Sequence, residues 1–585
     1  MAEAAYQCDV LVIGSGAAGL SAAVTAGKEG LKTLVVEKDS HFGGTTATSG
    51  GVSWIAESPH AKRQGLTDTI EDARTYIAAC IEKYGRRFDA DRIDAYLANG
   101  PRMVEFMEEN TRLRWAGVAY FPDYHPELPG HSDKARALNP AEYDAQKLPR
   151  ELRKNLKWPW TKITFMGLQV SAASREQHHF YNASRSPASA AYVMWLLAKQ
   201  ARDLLFYGRS KRLVNGNAVV AMLAHSCHDF DVPIWISSPA VELIKENGRV
   251  RGAYVEREGQ RVRVDAAKGV VLASGGFSWD QKRRKPIYPH EAAGAHHFPF
   301  GTSQDTGDGA RIAERVGAHF SAEVTNAAAW APATPVPQRG GRMLNLPHQR
   351  TYAKPGMIAV TRKGVRFTND AIDYHDMVQE MIRACAGEKD VEAFVIGDHQ
   401  AVRKYGFGIV VKPYPFPIGP HIKAGYLFRA NTIAELADRA GIDRDSLVAT
   451  VDRFNHAAAE GKDPEFHRGE TEYDRLQGDP AVKPNPCLAP IVRAPFYALK
   501  MVAGDSGSFA GLRTDQFARV LDGQGTPIEG LYAAGNDMES IFSGDYPGGG
   551  VTIGPAMVFG YIAALHMAGK PVAAGPETST AVGGR

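Results

Sequence analysis

Residues 8–37 read CDVLVIGSGAAGLSAAVTAGKEGLKTLVVE: an apolar run, a glycine turn, an alanine-rich stretch and a second apolar run that ends in an acid. Asp9 to Ile13 has the β-branched character of a buried strand. Gly14, Gly16 and Gly19 follow in G-x-G-x-x-G spacing, with Ser15, Ala17 and Ala18 filling the turn at the start of a helix. Gly14 permits the tight turn, Gly16 lets the backbone approach a pyrophosphate, and Gly19 lets helix and strand pack closely. The helix N-terminus then faces the phosphates. Glu37 closes the second strand 23 residues after Gly14, where a carboxylate takes the ribose hydroxyls of an adenosine. Strand, turn, helix, strand and acid together specify a seat for a dinucleotide.

The next stretch chooses the dinucleotide. Residues 38–54 read KDSHFGGTTATSGGVSW, with Gly43, Gly44, Thr45 and Thr46 in one small-residue turn and Ser49, Gly50 and Gly51 in another. An NAD domain would continue into another helix, whereas two turns this soon after Glu37 and Lys38 suit a backbone laid along a longer cofactor. The string resembles the FAD-binding fold shared by fumarate reductases and 3-ketosteroid dehydrogenases. That resemblance implies non-covalent FAD, with this loop along the ribityl chain and flavin.

Composition narrows the class. The chain has 585 residues, 44% hydrophobic and 23% charged, as expected of a globular protein of two or more domains. Its net charge of +3, with the signs interspersed, gives no reason to expect nucleic acid. The five cysteines, at 8, 80, 227, 385 and 487, form no C-x-x-C pair, so neither a zinc site nor a disulfide framework is expected and a reducing compartment fits. No basic segment precedes an apolar core at the N-terminus, and no apolar run nears 18 residues. A cytoplasmic protein is expected, with any membrane contact loose and peripheral.

Taken in order, TIEDARTYIAACIEKYG is an amphipathic helix capped by Thr67 or Thr69. AYFPDYHPELPG (119–130) is a stiff aromatic loop, and 132–184 reads as an aperiodic excursion lining or covering a pocket. Residues 188–205 are helical in pattern. A helix, loop and strand follow over 219–244, and in FAD proteins of this type such a strand passes the adenine, with Val241 at the matching position. Residues 249–264 alternate as a hairpin with turns at Asn247-Gly248 and Glu258-Gly259. KGVVLASGGF (268–277) is a buried strand ending in Ala273, Ser274 and Gly275, which in the same families lie beside the pyrophosphate. Asp308, in the Thr-Gly-Asp-Gly start of a helix, is counted with the cofactor positions. Capped helices are expected over 431–440 and 443–460, and a Gly/Ala/Thr tail frays after Lys570. A cofactor-type strand returns only at GLYAAGN (530–536), ending in Gly535 and Asn536. The expected fold is therefore α/β with an α+β insert, a Rossmann-like FAD-binding domain (1–287 and 503–585) interrupted by a mixed α+β catalytic domain (288–502).

The chemistry gathers near the C-terminus. The last long helix begins at VTIGPAM (551–557), so Thr552 and Ile553 present free N–H groups to whatever lies in front of them. In the flavoprotein reading that is the pyrimidine edge of the flavin, where the helix favours hydride acceptance at N5. SGDYPGGG (543–550) precedes it, placing a phenol, Tyr546, and a glycine N–H, Gly550, four residues apart. With GLRTD, VLDGQGTPIEGLYAAGN, Tyr-x-x-x-Gly and the DYHPELPG loop, the chain resembles 3-ketosteroid Δ1-dehydrogenases over nearly its whole length. The resemblance implies a carbonyl site made by Tyr546 and Gly550, a base at Tyr374 in RFTNDAIDY (366–374), and an assisting phenol at Tyr124. Asp370, Asp373, Asp545 and Pro547 depart from that family's usual residues and put the substrate in question. The arginine of an R-L-G-G segment and the His-Thr-x-Gly-Gly by which fumarate reductases hold two carboxylates are replaced by Tyr546-Pro-Gly-Gly and Gly507-Ser-Phe-Ala-Gly511, which suits a neutral ketone.

The expected reaction is FAD-dependent desaturation beside a ring ketone. A 3-oxosteroid attacked at C1 and C2 is the leading substrate; a smaller cyclic ketone such as cyclohexanone, a flavin ene-reductase and an electron-carrying flavoprotein are the alternatives. The expected partners are an apolar ketone and an electron acceptor that the sequence does not identify.

Overall fold

The computed structural model describes residues 5–119, 121–159, 164, 167–171, 174–183, 186–338, 340–348, 351–573 and 575. Part of the expected 132–184 excursion and most of the expected tail lie outside these residues. Strand β1 (Ala5–Ile13), helix α1 (Ala17–Lys28) and strand β2 (Thr33–Val36) form the anticipated opening unit. Its apolar runs are buried on both faces, as a parallel sheet requires: Val10, Leu11 and Val12 are wholly inaccessible, as are Leu34 and Val35.

The sheet runs in the order Arg519–Leu521, Pro527–Ala533, Gln260–Leu272, β1, β2, Ile234–Trp235, parallel except for the first pair. Two strands, Ala240–Glu246 and Arg249–Arg257, fold back antiparallel on Gln260–Leu272. The turns are those expected, since Asn247 and Glu258 both have positive φ. The alanines of α1 allow the C-terminal helix Ile553–Met567 to press against it, with Ser21 Oγ donating to the Met557 carbonyl at 2.8 Å.

A second, antiparallel sheet contains Met343–Pro347, Ala328–Pro337, Phe496–Ser508, Glu392–Gly397 and Met357–Thr361 in that order, with Phe428–Ala430 also paired to Phe496–Ser508. We propose that the chain divides between these two sheets. The boundary expected between 502 and 503 falls inside Phe496–Ser508, one continuous strand that reaches the cofactor-type turn: Ser508 Oγ donates to the Asn536 carbonyl at 3.2 Å. The capped helical pair is present as Ile433–Ala440 and Arg444–Ala459, with Thr432 and Asp443 as caps. Thr69, not Thr67, caps the early helix Ile70–Glu82, accepting from Asp72 N at 3.0 Å. The described part of 132–184 is not aperiodic throughout. It contains the helices Arg150–Asn155 and Ser174–Asn182, each under three turns and too short for periodicity to reveal. Among the described residues no helix is long and apolar enough to cross a membrane.

Candidate active site

The glycine turn is as tight as its spacing requires. Gly14 has φ +109°, and a Cβ there would lie 2.1 Å from the Ala273 carbonyl oxygen, so only glycine fits. A Cβ on Gly16 would meet only Thr46 Oγ1, at 3.5 Å, which leaves the lane above the turn open. Neither α1 nor Ile553–Met567 has an acidic residue in its first turn or a side-chain cap, so both N-termini remain suited to an anionic or electron-rich group. At the start of Ile553–Met567 lies a small pocket lined by Ser508, Phe509, Gly535, Asn536, Thr552 and Ala556 among others. These features fit FAD.

The remaining cofactor positions form a connected frame. Glu37 accepts from the Ser15 N–H (3.2 Å) and hydroxyl, and from Asp39 N at 2.8 Å. Gly43 N donates to Ser15 Oγ at 2.9 Å, and Thr46 Oγ1 accepts from Ala17 N at 3.0 Å, tying the loop to the first turn. Gly44 lies against Gly16, with an ideal Cβ 3.8 Å from its Cα. Ser49 Oγ donates to the Thr46 carbonyl at 2.8 Å and accepts from Gly51 N at 3.1 Å, while Gly50 is exposed between them. Lys38 Nζ donates to Asp308 Oδ2 at 2.6 Å, so two cofactor candidates pair with each other. Val241 lies three residues beyond Ser238, whose N–H donates to the Glu37 carbonyl at 2.7 Å.

Two carboxylates that sequence reasoning missed complete the frame. Asp537, buried, accepts from Ser274 N (2.5 Å), Ser274 Oγ (3.0 Å) and Gly276 N (3.1 Å), locking the Ala273–Gly275 turn to the Gly535–Asn536 turn. Asp305 accepts from Thr45 Oγ1 at 2.9 Å and faces Gly275. Burial pushes both carboxyls above their ordinary range. Asp537 was findable in principle, since it directly follows Gly535 and Asn536.

Three tyrosines from distant parts of the chain meet. The Tyr124 ring stacks on Tyr546, centroids 5.6 Å apart and planes 8° from parallel, while Tyr374 stands edge-on to both at 5.7 and 5.2 Å. The Tyr374 phenol is hydrogen-bonded to both other phenols, and Tyr546 also engages the Thr552 hydroxyl. Burial drives the Tyr374 and Tyr546 phenols well above the usual value near 10. The Tyr546 hydrogen bond pulls Tyr374 the other way. Tyr124 and Tyr546 are buried, whereas Tyr374 keeps part of its side chain accessible. Gly550 has φ +105°, and a Cβ there would strike Trp54 N at 2.6 Å. Its carbonyl accepts from Trp54 N at 3.2 Å and Gly554 N at 2.8 Å. Tyr473, another residue the sequence did not single out, lies 5.0 Å from Tyr124, and Phe121 6.0 Å, so the wall is aromatic and uncharged.

The residues that depart from the family pattern have structural explanations. Asp373 caps the helix Tyr374–Ala384, accepting from His375 N at 2.8 Å and Asp376 N at 3.0 Å, and so fixes where Tyr374 begins. Asp370 joins buried Arg366 (2.8 Å) and Arg468 (3.2 Å). The Pro547 carbonyl accepts from Tyr124 N at 2.9 Å and Tyr76 Oη at 2.7 Å, holding the Tyr124 loop beside the Tyr546 turn. Asp545, 1% exposed, faces His125 Nε2 at 3.5 Å and Lys83 Nζ at 3.6 Å. Burial opposes charge on His125, but Asp545 outweighs it and raises the imidazole to about 9, against a contrary push from Lys83. Burial likewise opposes charge on Asp545, but His125 and Lys83 hold it down at about 2. His375 Nδ1 accepts from Trp330 N at 3.1 Å, and burial lowers this imidazole to about 4, so a neutral ring faces Tyr546 at 5.5 Å.

Comparison with known proteins agrees with this geometry. The family described as FAD binding domain matches residues 9–553. A 4-oxocyclohex-2-ene-1-carboxylate 5-dehydrogenase of Sinomonas cyclohexanicum is 40% identical over 96% of this chain and 94% of its own length. A 3-oxosteroid 1-dehydrogenase of Mycobacterium tuberculosis is 37% identical over 96% of this chain and 98% of its own. The crystal structure of 3-ketosteroid Δ1-dehydrogenase from Sterolibacterium denitrificans with 1,4-androstadiene-3,17-dione superposes with a TM-score of 0.87 at 35% identity, covering 96% of this chain and 99% of that one.

Proposed function

The chain belongs to the FAD binding domain family, as an FAD-dependent oxidoreductase of cyclic ketones acting on CH–CH groups, and we propose that its substrate is a 3-oxosteroid, desaturated between C1 and C2. The observation that carries this reading is the convergence of Tyr124, Tyr374 and Tyr546 beside the Gly550 turn, behind an aromatic wall with no charged member. The Tyr546 hydroxyl and Gly550 N–H donate to the substrate carbonyl oxygen. Charge develops there as the α-proton leaves, and each such donor contributes about 3 kcal/mol to the transition state. A phenol driven above its ordinary pKa stays protonated, as a donor must. Tyr374, the accessible phenol, takes the α-proton, and its hydrogen bond to Tyr546 favours the resulting phenolate, against burial and the neighbouring Tyr124, which both oppose it. Bound FAD supplies the two-electron acceptor for the β-hydrogen, which leaves as hydride. The aromatic wall keeps water from the forming enolate.

A second reading rests on the 40% identity to the oxocyclohexene carboxylate dehydrogenase and the 34% identity to a 4-oxocyclohexanecarboxylate 2-dehydrogenase of the same organism: the same phenols acting on a 4-oxocyclohexane carboxylate. Anaerobic flavin absorbance separates the two. Bleaching by androst-4-ene-3,17-dione and not by 4-oxocyclohexanecarboxylate supports the steroid; the reverse result moves the substrate while keeping the phenol chemistry; bleaching by neither refutes both.

A further inference from the structure

The residues that neighbour the three phenols in sequence meet again behind them. His125 follows Tyr124, Asp373 precedes Tyr374 and His375 follows it, and Asp545 precedes Tyr546. All four are buried, Asp373 at 2% exposure and His375 at none. His125, Asp373 and Asp376 bring a ring nitrogen and two carboxylate oxygens within 4.8 Å of one another, and His375, Asp376 and Asp545 do the same. Asp373 and Asp545 both depart from the family pattern, so the cluster is a feature of this chain.

Its charges can be counted. Lys83 Nζ lies 3.6 Å from Asp545 Oδ1, and His125 lies 3.5 Å from Asp545 Oδ2 and 3.8 Å from Asp376 Oδ2. Burial opposes charge on Lys83, but Asp545 and Asp376 outweigh it and raise the ammonium. The His375 ring is neutral, and the Cys80 thiol and Tyr84 phenol, both raised by burial, stay neutral too. Glu127, 3.9 Å from His125 Nδ1, is 63% exposed and belongs to the solvent. Two cations thus match two carboxylates, Asp545 and Asp376. Asp373 is the third carboxyl, and the cations acting on it are the same Lys83 and His125, already engaged by Asp545. An unmatched buried charge is costly, so Asp373 keeps a proton. Both N–H groups that it caps go to Oδ1, which leaves Oδ2 to carry that proton. Burial, and then Asp376, push this carboxyl up to about 8, against His125 and Lys83.

The state of Asp373 reaches the phenols. Beside burial and the neighbouring phenols, its charge raises both Tyr374 and Tyr546. A phenolate at Tyr374 with an ionised Asp373 behind it would put two like charges into one buried site. We propose that Asp373 is a positioning residue of the reaction, a neutral acid behind Tyr374 whose proton lets that phenol ionise and take the α-proton, and whose ionisation opposes it. The inference rests on the reading of Tyr374 as the base. Asp373 transfers nothing to the substrate; it acts through its charge on Tyr374.

Asp373→Asn tests this, since asparagine caps a helix as well as aspartate does but does not ionise. The FAD-loaded proteins are mixed anaerobically with whichever of androst-4-ene-3,17-dione and 4-oxocyclohexanecarboxylate bleaches the wild type, and the bleaching rate is followed against pH. In the wild type the rate should climb with the phenolate and level off as Asp373 ionises at about 8, whereas in the variant it should keep climbing. The ratio of variant to wild type should therefore grow about tenfold between about pH 7 and 9. A second readout needs no substrate: in an ultraviolet pH titration a tyrosinate should form at lower pH in Asp373→Asn than in the wild type, and the difference should vanish when Tyr374→Phe is added. If Asp373→Asn loses its flavin, Asp373→Ser, which also caps, takes its place. Parallel pH profiles, or superimposable tyrosinate titrations, overturn the inference and leave Tyr374 as the base. Retained bleaching by Tyr374→Phe overturns the reading on which it rests.

Discussion

Tyr546→Phe removes one hydroxyl and little else. The ring stays stacked on Tyr124 at 5.6 Å, so the turn and the cofactor frame should be preserved. Two contributions are lost. The first is a donor to the carbonyl oxygen in a buried site, which lowers kcat by about 10²–10³, roughly 2.7–4 kcal/mol. The second is the hydrogen bond that pulls the Tyr374 phenol down against burial, so the base becomes still harder to ionise and the loss adds to the first. Because the interaction strengthens as charge develops, kcat and kcat/KM should fall together while KM changes little. The assay is steady-state turnover with an artificial electron acceptor, beside the flavin absorbance of the purified variant. A yellow protein with wild-type kcat would refute the oxyanion assignment. A rise confined to KM would show that Tyr546 only binds substrate.

Tyr374→Phe should leave flavin content intact and lower kcat by about 10²–10⁴, and exchange of the substrate α-hydrogens with solvent deuterium should disappear with it. Gly14→Ala should yield protein without flavin absorbance, since its Cβ would overlap the Ala273 carbonyl; a yellow variant would show that the turn can shift. Asp537→Leu, which strands the Ser274 and Gly276 donors, should weaken FAD retention, read as flavin loss on gel filtration. The His125–Asp545 pair makes stability depend on pH. His125 holds its proton to about 9 in the folded protein against about 6.5 unfolded, so its stabilisation is complete below about 6.5 and lost as pH rises through about 9. Asp545→Asn should cost about 3–5 kcal/mol at neutral pH and flatten the melting temperature between about pH 7 and 10. An equally steep pH dependence in that variant would remove His125 as its source.

Residues 8–54 were legible because each step is local. The glycine spacing, the apolar runs and Glu37 lie within one folding unit, and the positive φ at Gly14 follows from the turn itself. Sequence reasoning also brought forward Tyr124, Tyr374, Tyr546 and Gly550 through spaced motifs. It gave no reason to link Asp537 to Ser274, 263 positions earlier, or to pair Asp545 with His125, because a carboxylate's partner depends on which turns the sheet brings together. The same limit explains Asp545, which as a departure from the family's residues put the substrate in question and is an ion-pair partner of His125 and Lys83 behind the phenols.

The helix Pro187–Tyr207 shows the division most clearly. Periodicity announces a helix and an apolar arc, and by default that arc belongs in the core. Only the packing of Ser189, Gln200 and Asp203 against the protein reveals that it faces outward. The sequence alone therefore determined the cofactor seat, the class of chemistry and the residue types that perform it, since these follow from short-range geometry and motif. Tertiary structure decided which phenols touch, which carboxylates are buried and which apolar face is left to solvent, because burial is a property of the whole chain's packing and no local run of residues contains it.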